Sequence, residues 1–236
     1  MTQHTVHRFD EELENIRNRV MGMGGLAEQQ LNNALQALIV GDSALAKTVK
    51  KNDRQMNQMD LEINKNCTLL LARRTPVAFD LRLVLSASKI VNDLERIGDE
   101  SKKIAKVALM GFQSTQDTGP ASSLEDMGEQ VKRMLHKSLD ALARFDALSA
   151  SELYKEDRKV NNYYNAILGD MLITTMRGKH QNTSDILCIC WVTRALERIG
   201  DHCRNIGEHV IYLVKGEDVR YAHFTEDPGN APEQLP

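Results

Sequence analysis

Cysteine, basic excess and long apolar runs are all scarce in this sequence, and each shortage excludes a class of protein. The four cysteines, Cys67, Cys188, Cys190 and Cys203, are too few and too clustered for a disulfide framework in a chain of 236 residues. Cys188 and Cys190 stand two apart, so on a helix their side chains point about 200° apart and cannot jointly hold one metal. All four read as buried thiols in a reducing compartment. No stretch approaches the roughly 18 apolar residues of a membrane-spanning helix. The opening MTQHTVHRFDEELENIRNRV has neither the charged-then-apolar order nor the small-residue cleavage site of a secretory leader. A cytoplasmic protein is expected. With a formal net charge of −3, no basic field draws the chain to nucleic acid or anionic lipid.

What the sequence does hold is helical periodicity. Hydrophobic residues make up 42% of it and charged residues 27%, the balance of a folded soluble protein. Leu13, Ile16, Val20, Met23, Ala27, Leu31, Ala34 and Leu38 step by three or four, which draws one apolar face along a long helix. Gly41-Asp42-Ser43 stops that helix and caps the next, whose stripe of Val49, Met56, Ile63 and Leu70 ends at Arg74-Thr75-Pro76. A third stripe runs from Leu81 through Val84, Val91 and Leu94 to Ala108. Segment 111–123 is polar and rich in turn formers, and after it the pattern returns over 124–144, 148–178 and 184–214. Met21, Met23, Met56, Met59 and the single tryptophan, Trp191, are expected in the core. The tail 217–236 is expected to lack structure, and no strand candidate of comparable quality is present.

The two halves match each other. A shift of 104 places Met23-Gly24 on Met127-Gly128, Leu35 on Leu139, Asp42 on Asp146 and Asp53-Arg54 on Asp157-Arg158. A shift of 102 places Leu94 through Asp99 on Leu196 through Asp201. This is an internal duplication. The expected architecture is therefore all-α: two tandem antiparallel three-helix bundles, 8–110 and 124–216, joined by the linker 111–123.

The duplication repeats the five letters ERIGD, at 95–99 and at 197–201. In a helix, Glu95 and Asp99 lie one turn apart on one face, as do Glu197 and Asp201, close enough to share a cation. Like charges at that spacing repel unless something neutralises them. Arg96 and Arg198 are adjacent in sequence but leave the helix about 100° away. Paired acids beside an apolar stripe suit a cation held by oxygen ligands, and equally suit a solvated helix face. Gly98 and Gly200 weaken the helix by roughly 1 kcal/mol each relative to Ala, which points to close approach by a neighbouring helix or a bound cluster.

The strings LERIGD at both repeats, the segment Arg74-Thr75-Pro76-Val77-Ala78-Phe79-Asp80-Leu81-Arg82, the opening MGMGGLAEQQL and the late HVIYLVKG together resemble the PhoU family of phosphate-signalling regulators, from about residue 8 to 222. The resemblance implies a non-enzymatic negative regulator of phosphate uptake. It implies an adaptor that relays the state of the phosphate ABC transporter, through its ATPase subunit, to a membrane sensor histidine kinase, acts as a homodimer and meets the membrane only through those complexes. It further implies iron or zinc, with magnesium or manganese as alternatives, at Glu95, Asp99, Glu197 and Asp201. Asp53, Asp60 and Asp157 on the preceding helices extend that ligand set, although Asn57 and Asn161 stand where the family often has an acid.

His202 and His209, seven apart on one helix face, read either as zinc ligands or as helix-end caps. Asp80, Arg82 and Arg194 are the charged neighbours singled out for partner contact. A carboxylate-bridged di-iron enzyme needs Glu-x-x-His pairs, and the sequence has none. Neither a nucleophile with its base nor a phosphate-cradling glycine loop is found, so no catalytic site is expected. The competing reading is a metal-binding carboxylate bundle with a redox or storage role.

Overall fold

The computed structural model of the protein describes residues 2–112, 119–176 and 183–219. Its helices are α1 (Thr2–Val40), α2 (Ser43–Arg74), α3 (Ala78–Leu109), α4 (Gly119–Arg144), α5 (Ala147–Ser151), α6 (Leu153–Met176) and α7 (Thr183–Lys215). There is no strand among the described residues. The first bundle is α1–α3 and the second is α4–α7. Two boundaries differ from the sequence expectation. The last residues of the expected linker 111–123 form the first turn of α4, and the middle helix of the second bundle is interrupted at Glu152, which keeps helical dihedrals (φ −69°, ψ −18°). Positions 113–118 of the linker, the end of the expected helix at 177–178, and the tail beyond 219 lie outside the described residues.

Local chemistry explains why the bundles start and stop alike. Asp42 caps α2 by accepting from the backbone N–H groups of Ala44 (2.8 Å) and Leu45 (3.0 Å). Its repeat counterpart Asp146 caps α5 in the same way, accepting from Leu148 (2.9 Å) and Ser149 (3.1 Å). The residue before each cap is left-handed: Gly41 at φ 75° and Phe145 at φ 54°. A phenylalanine disfavours that region, but its ring packs edge-on against Phe79 (5.5 Å between centroids) and under the Arg17 guanidinium (4.8 Å). Tertiary contact therefore replaces the conformational freedom that glycine supplies in the first repeat.

The bundles join by reciprocal contacts, as expected when two copies of one unit pack together. Gly24 of α1 faces Leu139 of α4, and its counterpart Gly128 faces Leu35, the counterpart of Leu139. A Cβ on Gly24 would sit 2.5 Å from Leu139 Cδ2, and one on Gly128 would sit 3.1 Å from Leu35 Cδ2. Gly25, one residue on, faces open space. Gly24→Val should accordingly lower stability by about 1–3 kcal/mol through overpacking, whereas Gly25→Ala should be neutral or stabilising by up to about 1 kcal/mol. Urea unfolding of both variants checks this. Equal effects would mean that the seam does not depend on close approach.

The second and larger seam is α3 against α7. Arg82 donates to the Leu213 carbonyl (3.0 Å), Asp93 meets His202, and Glu100 meets Arg198, so the two helices run antiparallel. The core follows the predicted stripes, with Ile16, Met23, Leu31, Met56, Ile63, Ile97 and Ile199 all buried. Three core expectations need correction. Trp191 is 52% exposed rather than buried, because it stands at the rim of the α3–α7 seam. Met21 and Met59 only lean on the core, and Cys190 is half-buried, whereas Cys67, Cys188 and Cys203 are buried.

Candidate functional site

The two ERIGD segments lie in the middle of α3 and α7, each against the helix that precedes it in its own bundle. The glycines allow this approach. A Cβ on Gly98 would meet Met56 of α2 at 3.4 Å, and one on Gly200 would meet Val160 Cγ1 of α6 at 3.3 Å. A neighbouring helix, one of the two readings left open by the sequence, approaches each glycine. It brings Asp53 of α2 beside Asp99, and Asp157 of α6 beside Asp201.

In each repeat a cation bridges these acids. Lys102 Nζ donates to Asp53 Oδ2 and to Asp99 Oδ1, both at 2.7 Å. Arg204 donates through Nη1 to Asp157 Oδ2 (2.7 Å), pairs through Nη2 with Asp201 Oδ1 (3.2 Å), and approaches Glu208 Oε1 (3.6 Å). Lys102 and Arg204 are equivalent under the 102-residue shift, each three residues past the aspartate of its motif. The neutralising cations are therefore Lys102 and Arg204 rather than the adjacent Arg96 and Arg198. The sequence reading weighed only the adjacent arginines, and even there Arg96 folds back to 3.5 Å from Glu95, while Arg198 crosses the seam to Glu100 at 3.4 Å.

The electrostatics divide the site into settled and unsettled acids. Burial pulls the Lys102 ammonium down, but its bonds to Asp53 and Asp99 outweigh this and hold it above the ordinary lysine value. Arg204 is raised likewise by Asp157 and Asp201 against the pull of burial. Glu95 is pushed up first by burial and then by the charge of Asp99, with Arg96 only partly offsetting them. Glu197 is pushed up by burial and by Asp201, although Arg194 donates to its Oε1 at 2.9 Å. Its other oxygen, Oε2, is buried without a hydrogen-bond partner. Burial also raises Asp157 beyond what Arg204 offsets, and raises Asp60 despite a 2.8 Å bond from Asn64.

The remaining candidates separate. His202 is not with Glu197 and Asp201: it turns across the seam, its Nδ1 2.9 Å from Asp93 Oδ1, and His209 Nε2 lies 3.4 Å from the other oxygen of the same carboxylate. Burial acts to raise Asp93, but His202, His209 and Asn205 together hold it below the usual aspartate range. Asp93 escaped the sequence reading because it sits inside an apolar stripe, where only its lack of a counterpart in the second repeat, Ala195, marks it out. Arg82 ties down the last turn of α7, Asp80 favours the N-terminal turn of α3, and Arg194 is exposed beside Glu197. Asn57 is exposed, and Asn161 donates weakly to Asp157 at 3.4 Å.

The donor chemistry suits a hard or borderline cation, since every candidate ligand beside the two motifs is an oxygen. The arrangement is not a ready metal site, however. Among the described residues no group of three or more His, Cys, Asp or Glu is placed to hold an ion, and Lys102 and Arg204 occupy the cationic positions beside the acids.

A repeated three-helix unit, carrying paired acids on the third helix and joined through that helix to its copy, defines a class of tandem-bundle protein. The PhoU domain family matches this chain twice, at residues 20–108 and 124–210, and the chain belongs to that family. It is 45% identical over 225 residues to the phosphate-specific transport system accessory protein PhoU homolog of Pseudomonas aeruginosa, covering 95% of this chain and 93% of the relative. The phosphate-specific transport system accessory protein PhoU of Escherichia coli K12 is 42% identical over 221 residues, covering 94% and 91%. Among solved structures, PhoU from Pseudomonas aeruginosa aligns with a TM-score of 0.84 at 44% identity, over 89% of this chain and all of that one (100%). The phosphate transport system regulatory protein PhoU from Streptococcus pneumoniae gives 0.81 at 29% identity, over 89% and 99%.

Proposed function

We propose that this protein is an accessory regulator of a phosphate-specific transport system, acting as a cytoplasmic, non-enzymatic adaptor. In this reading it stands between the transporter's ATPase subunit and a membrane sensor histidine kinase, as a homodimer, and restrains phosphate uptake and the phosphate-starvation genes when phosphate is plentiful. The observation that carries the reading is end-to-end likeness to accessory proteins of phosphate-specific transport, including both repeats. No described helix is long and apolar enough to cross a membrane, which agrees with contact through membrane complexes rather than insertion. Deletion of the gene should leave phosphate-starvation genes switched on in high phosphate, measured by a transcriptional reporter. Normal repression in the deletion strain would reject the regulatory role.

A second reading is favoured by one specific observation: the buried, unpartnered Oε2 of Glu197. An unsatisfied buried carboxylate oxygen is unfavourable unless a cation or proton reaches it. Glu95, Asp99, Glu197 and Asp201, with Asp53, Asp60 and Asp157, are the residues that would hold iron, zinc, magnesium or manganese. An ion held there would supply the positive charge that Lys102 and Arg204 provide to the acids. Metal binding is thus a competition with the protein's own cations.

A further inference from the structure

The α3–α7 seam opens into two grooves, and the 102-residue shift maps the lining of one onto that of the other. The first groove, of about 430 Å³, is lined by Lys89, Asn92, Asp93, Asn205, Glu208 and His209. At the equivalent positions the second, of about 330 Å³, has Trp191, Arg194, Ala195, Lys103, Lys106 and Val107. Duplication supplied the same cleft twice, and the two linings then diverged in charge and polarity. The first mixes two acids, Asp93 and Glu208, with Lys89 and His209. The second carries four cations, Lys103, Lys106, Arg194 and Arg198, against one acid, Glu100. Glu100 is buried and already held by Lys103 (2.7 Å) and Arg198 (3.4 Å), so the groove keeps a positive excess.

The second groove is also the apolar one. Trp191 is 52% exposed and Met110 is 64% exposed, above a floor of Val107 and Ala195. Leu187, one turn before Trp191, is exposed as well. A contiguous exposed patch of large apolar side chains is the kind of surface that marks an interaction site. Tryptophan and arginine are the residues that dominate binding energy when a partner covers them. A flat bilayer meets protruding apolar residues, whereas here they line a concave cleft between two helices, the shape that receives an amphipathic helix.

We propose that this groove docks an acidic amphipathic helix of a partner protein. Apolar side chains of that helix pack on Trp191 and Met110, and its carboxylates pair with Lys106, Arg194 and the other rim cations. An acidic occupant also competes with Glu197 for Arg194, which links the groove to the second ERIGD site. The inference extends the adaptor reading, yet its test is a binding measurement in vitro and the adaptor's is gene expression, so the two fail separately.

Trp191 is the chain's only tryptophan, so its emission reports on the groove directly. The probes are a tryptophan-free helical peptide with Leu on one face and Glu on its flanks, the same peptide with Lys in place of Glu, and vesicles of phosphatidylglycerol with phosphatidylcholine. With the full chain, the Glu peptide should give a saturable blue shift of Trp191 emission that weakens with salt, and the Lys peptide none. Trp191→Ala and Lys106→Glu alter exposed side chains, so they should leave the circular dichroism unchanged. Each should weaken binding of the labelled Glu peptide by about tenfold or more. Absence of Glu-peptide binding, or equal binding of both peptides, overturns the proposal. A shift with vesicles alone would instead assign the face to the membrane surface, and a shift that follows the protein's own concentration would assign it to a second copy.

Discussion

Lys102→Met and Arg204→Met, made together, should lower the stability of the chelator-treated protein more than any other surface change in the molecule. Each removal strands acids that are largely out of water: Asp53 and Asp99 in the first repeat, Asp157 and Glu208 in the second. Breaking a fully buried ion pair from one side is unfavourable by about 3–5 kcal/mol. The cations here retain 21% and 29% side-chain exposure, so a smaller loss, about 2–3 kcal/mol per site, is expected. For a domain of this size that is a fall of roughly 5–10 °C in Tm per site. Saturating manganese or zinc should then restore more stability in the double variant than it adds to the parent, because the ion replaces a missing ammonium or guanidinium instead of displacing one. Scanning calorimetry with and without metal reads both effects. Loss of stability that no divalent ion repairs would mean that the acids are structural partners of Lys102 and Arg204 alone.

The opposite sign is expected for Glu95→Gln with Glu197→Gln. Both carboxyls are raised above the ordinary glutamate range, by burial first and by the neighbouring aspartate second. A carboxyl whose folded value lies above its unfolded value favours folding when protonated. That contribution is fully present below the unfolded value and is lost as pH rises through the folded one. At neutral pH both groups are therefore charged at a penalty, and the amides remove it. The double variant should melt higher than the parent at pH 7 in chelator. The advantage should shrink as pH falls through the carboxylate range, where the parent's own carboxyls become protonated. A lower melting temperature at pH 7 would show that Arg96 and Arg194 stabilise these glutamates more than burial opposes them. Because the change spares the fold, any loss of regulation in this variant is attributable to the carboxylates.

Much of this was readable from spacing alone. The stripes through Ile16, Ile63 and Ile97, the Asp42 and Asp146 caps, and the Gly98 and Gly200 approaches are local or periodic features, and each is where the sequence places it. What escaped is what depends on a third dimension. Lys102 and Arg204 stand three residues from Asp99 and Asp201, a helical spacing that was available, but their second partners, Asp53 and Asp157, come from other helices. The Asp93 cluster joins residues from two repeats and has no duplicated counterpart to signal it. Trp191 follows the apolar period of α7, yet at that position the period meets the open rim of the seam. Internal repetition guides expectation where the two copies agree. Where they differ, as at Gly41 and Phe145 or at Lys89 and Trp191, tertiary contact decides.

We propose that the two ERIGD faces are the surfaces through which this protein regulates, by metal or by a partner. The most direct test returns the variant with Glu95→Gln, Asp99→Asn, Glu197→Gln and Asp201→Asn to a strain lacking the native gene, at matched protein abundance, and measures a phosphate-starvation reporter in high phosphate. Lys102 keeps Asp53, and Arg204 keeps Asp157 and Glu208, so the variant should remain folded. The reporter should stay on, as in the deletion strain, while the parent gene switches it off. A folded variant that represses as fully as the parent would contradict the proposal and leave both motifs as inheritance from the duplication.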